Sequence, residues 1–104
     1  MITNDQIQTV VNKIVESYNP ERIVLFGSYA NGNPNENSDL DLLIVKDSDL
    51  SNHQLAVQIK RQLVDAKFDM DIIVYKSKDV KEWITAPASF IHQVYKYGRT
   101  LYEK

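Results

Sequence analysis

Two pairs of aspartates and one glycine–serine pair are the parts of this 104-residue chain whose types and spacing could do chemistry. Asp39 and Asp41 open the stretch Asp39-Leu40-Asp41-Leu42-Leu43-Ile44-Val45, which is otherwise as apolar as a core strand. Successive side chains of a strand point to opposite faces, so these two carboxylates share one face. Like charges held side by side there are stable only with a cation or solvent between or above them. A second stretch, Phe68-Asp69-Met70-Asp71-Ile72-Ile73-Val74-Tyr75, repeats the pattern, and Asp69 and Asp71 share a face in the same way. Either can join the first pair if the two strands are neighbours. Hard divalent cations such as Mg2+ prefer oxygen ligands and keep several waters, so carboxylates converging on one sheet face suit them. Gly27-Ser28 directly follows the apolar run Ile23-Val24-Leu25-Phe26 and leads into Tyr29-Ala30-Asn31, the pattern of a strand-to-helix turn. The first amides of a helix lack internal partners and point outward, which makes a seat for phosphate. A cation site beside a phosphate seat points to phosphoryl-type transfer, which needs charge neutralisation and in-line positioning more than covalent chemistry.

The elements that must position these residues follow from periodicity. Ile7, Val10, Val11, Ile14 and Val15 recur at helical spacing over Asn4 to Tyr18, with Thr3 or Asn4 placed to cap the start and Asn19-Pro20 to end it. The first strand is Arg22 to Phe26, then come a short helix over Ser28 to Asn31, a polar loop from Gly32 to Asn37, and the second strand from Asp39 to Val45. Leu55, Ala56, Val57, Ile59, Leu63 and Val64 form the packing stripe of a crossover helix from Asn52 to Ala66, with Lys60, Arg61 and Lys67 on its solvated side. Phe68 to Tyr75 is the third strand. Lys78 to Ile84 and Ala88 to Tyr97 are two short helices split by Ala86-Pro87 and stopped by Gly98, and Arg99 to Tyr102 is a closing edge strand. The pattern is that of an α/β (α+β) domain, a small mixed sheet with helices mainly on one face, spanning residues 1–104 as a single unit.

Composition narrows the function. A hydrophobic content of 43% supports one core at this length. The net charge of −2 argues against a general nucleic-acid binder, which would show a basic face. Cysteine is absent, so disulfides, thiolate metal sites and thiol redox chemistry are excluded. Neither a leader peptide nor a membrane span is legible, and the expected location is the cytoplasm. His53 and His92 read as ordinary helix residues, and Trp83 as either core or a partner contact.

The stretch Arg22 to Lys46 resembles the signature of the DNA polymerase β-like nucleotidyltransferase superfamily: Gly27-Ser28, ten residues from Tyr29 to Ser38, then Asp39-Leu40-Asp41, with an apolar strand on either side. The short chain is similar to the minimal nucleotidyltransferases paired with helical HEPN toxins. That resemblance implies that Asp39, Asp41 and Asp71 are the catalytic and metal-holding carboxylates. Asp71 is preferred to Asp69 because Ile72-Ile73-Val74 follow it. It also implies that Gly27, Ser28 and Ser38 contact the nucleotide. Two Mg2+ ions, or Mn2+ in their place, are the implied cofactors. The implied reaction is transfer of AMP from ATP to a tyrosine hydroxyl of a HEPN toxin, with the protein acting as antitoxin, and a homo-oligomer is compatible with it. One departure stands out. Where many relatives carry Arg or Lys before the second glycine, this chain has Asn31, which removes a cation from the phosphates. The alternative reading is therefore a binding module that neutralises its partner by occlusion.

Overall fold

The computed structural model describes all 104 residues. Four strands, β1 (Arg22–Phe26), β2 (Leu40–Val45), β3 (Met70–Tyr75) and β4 (Arg99–Glu103), form one sheet in the order β3-β2-β1-β4. β1 pairs antiparallel with β2 and with β4, whereas β2 and β3 run parallel. A parallel pair needs a crossover. It is made by α3 (Asn52–Gln62) and a short 3-10 turn, Val64–Ala66.

Alternation along the strands sorts the core into two layers. Ile23, Leu25, Leu40, Leu42, Ile44, Met70 and Val74 point to one face. There α1 (Asn4–Tyr18) and α3 bury Ile7, Val10, Val11, Ile14, Leu55 and Ile59 against them. These are the two longest helices, and they make the main helical layer. Val24, Leu43 and Val45 point to the other face, where Val80 of α4 (Ser77–Trp83) and Ile91 and Val94 of α5 (Phe90–Tyr97) make a smaller cluster. Each buried aliphatic side chain contributes on the order of 1.5–3 kcal/mol, so most of the stability resides on the α1/α3 face.

The ends of the elements are set locally. Thr3 and Ser51 each form a capping box, with Gln6 and Gln54 reaching back to the cap amides. The long helices start where the sequence puts them. The third helix stops earlier than its apolar stripe implies: at Leu63 the backbone leaves helical geometry, and Lys67 sits left-handed at φ 61. Val64 is consequently 76% exposed and is not part of the stripe. β2 and β3 begin at Leu40 and Met70, so Asp39 and Asp69 stand one residue outside the ladder, although Leu40 N–H still donates to the Asp69 carbonyl at 3.1 Å. The last helix begins at Phe90, capped by Ser89, whose Oγ accepts from His92 N–H at 3.0 Å.

Candidate active site

Gly27 ends β1 and opens α2 (Ser28–Asn31) with φ 76 and ψ −155, a conformation that L side chains rarely adopt. It matters for a second reason: a β-carbon there would collide with the Asp41 carboxylate, whose Cγ would lie 3.2 Å away. The turn is therefore glycine because the carboxylate is packed against it. The Gly27 carbonyl accepts from Ala30 and Asn31 N–H at 3.1 and 3.0 Å, and no side chain caps the turn. The Ser28 and Tyr29 amides are the donors left for a ligand.

On the next strand, Asp41 sits opposite Phe26 of β1 and opposite Asp71 of β3. The parallel register thus sets Asp41 and Asp71 side by side on the face shared with Leu43 and Val45, the face of the short helices. Asp41 is half-buried and Asp71 exposed. Burial, a hydrogen bond with the Asp71 carboxyl, and the negative charges of Asp71 and Asp39 together raise the Asp41 pKa to about 6. Two carboxyls that cannot both ionise freely are a site that a cation would relieve, and all-oxygen donors suit a hard ion such as Mg2+.

Asp39 is near enough to act on Asp41 through its charge. It is exposed and faces a separate cavity of about 740 Å3, which it lines with Asp69, Ser38 and Tyr29. Asp41 and Asp71 line one of about 390 Å3. No group of three His, Cys, Asp or Glu side chains is arranged to hold a metal ion. The three carboxylates expected to converge thus stand as a pair in contact with a third beside it, because Asp39 lies outside the ladder that locks the other two. Asp69 stays apart from the pair, on the Asp39 side. The Ser38 hydroxyl closes the polar loop by accepting from Asn35 N–H at 2.9 Å. The Tyr29 hydroxyl accepts from Ile2 N–H at 2.9 Å, which ties the start of the chain to the turn.

The structure also brings in residues that the sequence reading set apart. Lys60 and His53 line the Asp41–Asp71 cavity together with Ala56 and Val57, since α3 runs along the β3 edge. Helical periodicity put Lys60 on a solvated face and could not show that this face borders the carboxylates. His92 behaves as expected, its Nδ1 lying 2.8 Å from the Ile84 carbonyl and joining α5 to the end of α4. Trp83 is 49% exposed, which settles it as surface rather than core.

The fold is shared with known relatives. The family model described as Polymerase beta, Nucleotidyltransferase matches residues 8–104. A protein of Methanocaldococcus jannaschii, provisionally named a protein adenylyltransferase, is 39% identical over 82 residues, covering 75% of each chain. Among solved structures, a nucleotidyltransferase (provisionally named so) from Sulfolobus solfataricus superposes with a TM-score of 0.67 at 19% identity, over 96% of this chain and 79% of that one. A toxin–antitoxin complex with AMP-PNP superposes with a TM-score of 0.61 at 25% identity, over 93% of this chain and 73% of that one. A family match that leaves out only the first seven residues, joined to a relative at that identity, means that this chain belongs to the polymerase beta nucleotidyltransferase family and is a transferase.

Proposed function

We propose that the protein transfers AMP from ATP to a hydroxyl of a protein partner, a tyrosine of a helical HEPN-type toxin, and thereby acts as its antitoxin. The observation that carries this is the Asp41–Asp71 pair, set in register and packed against the Gly27 turn. The relative named for protein adenylylation and the toxin–antitoxin neighbour solved with AMP-PNP support the donor, the acceptor class and the partner.

In this reading the Ser28 and Tyr29 amides take the terminal phosphates, which reach the backbone because residue 27 has no side chain. Asp41 and Asp71, with Asp39 beside them, would hold Mg2+, which when bound offsets phosphate charge and lowers the pKa of the attacking hydroxyl. The acceptor oxygen attacks the α-phosphorus as the bond to the bridging oxygen of pyrophosphate breaks. Asp71 faces the cavity and receives the hydroxyl proton, and pyrophosphate leaves with the bonding pair. Incubating the protein with ATP, Mg2+ and the product of the adjacent reading frame should add one AMP to that product. Asp41→Asn and Asp71→Asn should each reduce the rate at least about a thousand-fold. An unmodified partner after long incubation with the wild-type protein would overturn the assignment.

Two points favour a second reading, neutralisation by occlusion alone: this chain has Asn31 where the family resemblance implies a cation, and three acids do not converge. In cells, Asp41→Asn should lose suppression of the toxin if transfer is the mechanism and keep it in full if occlusion is.

A further inference from the structure

We infer that the groove between α3 and the outer edge of β3 receives the segment of the protein partner that carries the acceptor hydroxyl, and that this segment is acidic, with apolar residues among its carboxylates. The inference rests on the reading of the chain as a transferase to a protein hydroxyl. In-line transfer fixes the direction, because the attacking oxygen must come from the side opposite the leaving pyrophosphate. The Gly27 turn, the phosphate seat, ends β1, and Asp41 and Asp71 follow on β2 and β3. The acceptor therefore approaches from the β3 side. No strand lies beyond β3, so it arrives across the edge of the sheet.

Two cavities meet at that edge. The one of about 390 Å3 is lined by Asp71 and Ile73 from one face of β3, by Ile72 from the other, and by Val57 and Lys60 of α3, so it wraps around the edge. Val57 and Lys60 also line a second cavity, of about 570 Å3, which continues around the end of α3 to Phe68 and Asp69. The apolar part of its lining includes the half-buried Phe68 and the exposed Val64. The charged part is Lys60, Arg61 and Lys67 with a single acid, Asp69, a local surplus of positive charge in a chain of net charge −2. None of the three cations is ion-paired, since the salt bridges of the protein are Arg22–Glu103 and Lys104–Glu21. Lys60 and Arg61 sit in the last turn of α3, where cations also suit the helix dipole. The dipole accounts neither for the bare Val64 nor for Lys67, which lies beyond the helix and holds a left-handed φ of 61 that glycine or asparagine adopts more easily. Unpaired cations around exposed apolar surface, continuous with the carboxylate site, fit a ligand of opposite charge and the same mixed character.

The test measures AMP transfer to the product of the adjacent reading frame, varying that protein and ATP separately, with wild type, Arg61→Glu/Lys67→Glu and the conservative Arg61→Lys/Lys67→Arg. Charge reversal should raise the KM for the partner roughly ten-fold at low salt. The KM for ATP should stay where it is, which also reports an intact fold. The excess should shrink as salt rises, and the conservative variant should match wild type. Poly-L-glutamate should compete with the partner for the wild-type protein, and poly-L-lysine should not. A partner KM unmoved by charge reversal, or moved equally by the conservative variant, would sink the groove while leaving AMP transfer standing. A rise in the KM for ATP instead assigns the cations to the nucleotide. Weaker binding of a fluorescein-labelled single-stranded RNA, with the partner KM unmoved, assigns them to nucleic acid, and either result rules the docking segment out. If the wild-type protein transfers no AMP to the partner, both readings fall.

Discussion

The two faces of the sheet divide the work. On the α1/α3 face, fourteen buried residues form one continuous core under the two longest helices. On the other, six buried residues lie under two short helices, and the row formed by Phe26, Asp41 and Asp71 is left only partly covered. Both faces come from the same strands. Alternation allows a residue such as Leu42, fully buried, to follow directly on Asp41, half-buried and aimed the opposite way. The lesson is that a small domain can keep two like charges in contact if the energy that holds the strands in register comes from the opposite side.

The largest test of that division is Ile44→Ala on the fully buried face. It should cost about 3 kcal/mol and lower the melting temperature by roughly 15 °C, measured by calorimetry. A loss under about 1 kcal/mol would mean that the α1/α3 face does not carry the fold.

Gly27→Ala comes next. A side chain at φ 76 costs about 1–2 kcal/mol, and it must also displace the Asp41 carboxylate. The variant should lose about 2 kcal/mol and release less AMP to the partner even at temperatures where it is fully folded.

Asp41→Asn should have the opposite sign. Asp41 titrates near 6 in the fold against an ordinary value of 3.8. Its protonated form thus contributes stability that is fully present below about pH 4 and lost as pH rises through 6. A shift of that size corresponds to about 3 kcal/mol, cut to about 1 kcal/mol because the group is only half-buried. Metal-free Asp41→Asn should therefore be about 1 kcal/mol more stable than wild type at pH 8 and equal to it near pH 4. A difference independent of pH would show that the carboxylates do not repel.

The smallest effect is Asp47→Ala. The Ser77 amide donates to Asp47 Oδ1 at 2.9 Å at the start of α4, and that bond holds the Asp47 pKa below the ordinary range. This exposed contact is worth about 0.5 kcal/mol. Its contribution is present above pH 3.8 and fades as pH falls below it, so chemical denaturation of the two proteins should differ at pH 7 and converge near pH 2.

Much of this was legible before any coordinates. The alternation within each strand, the glycine that must follow β1, and the capped helix starts each depend on neighbours a few residues apart and are seen in the fold, whereas Asp39 and Asp69 fall one residue before their strands and do not share the face of Asp41 and Asp71. The end of α3 was not legible, because Leu63 and Val64 are equally apolar and only packing buries one and exposes the other. Nor was the placement of Lys60 and His53 in the cavity of the carboxylates, since helical periodicity says which face is solvated but not what lies across from it.

The amino-acid order by itself determined which side chains share a face and where the chain must turn, because those depend on φ, ψ and a period of two or 3.6. Only the assembled sheet decided that Asp41 pairs with Asp71 while Asp39 stands aside. That outcome rests on the register between two strands separated by a helix, and register is chosen by how their opposite, apolar sides pack together.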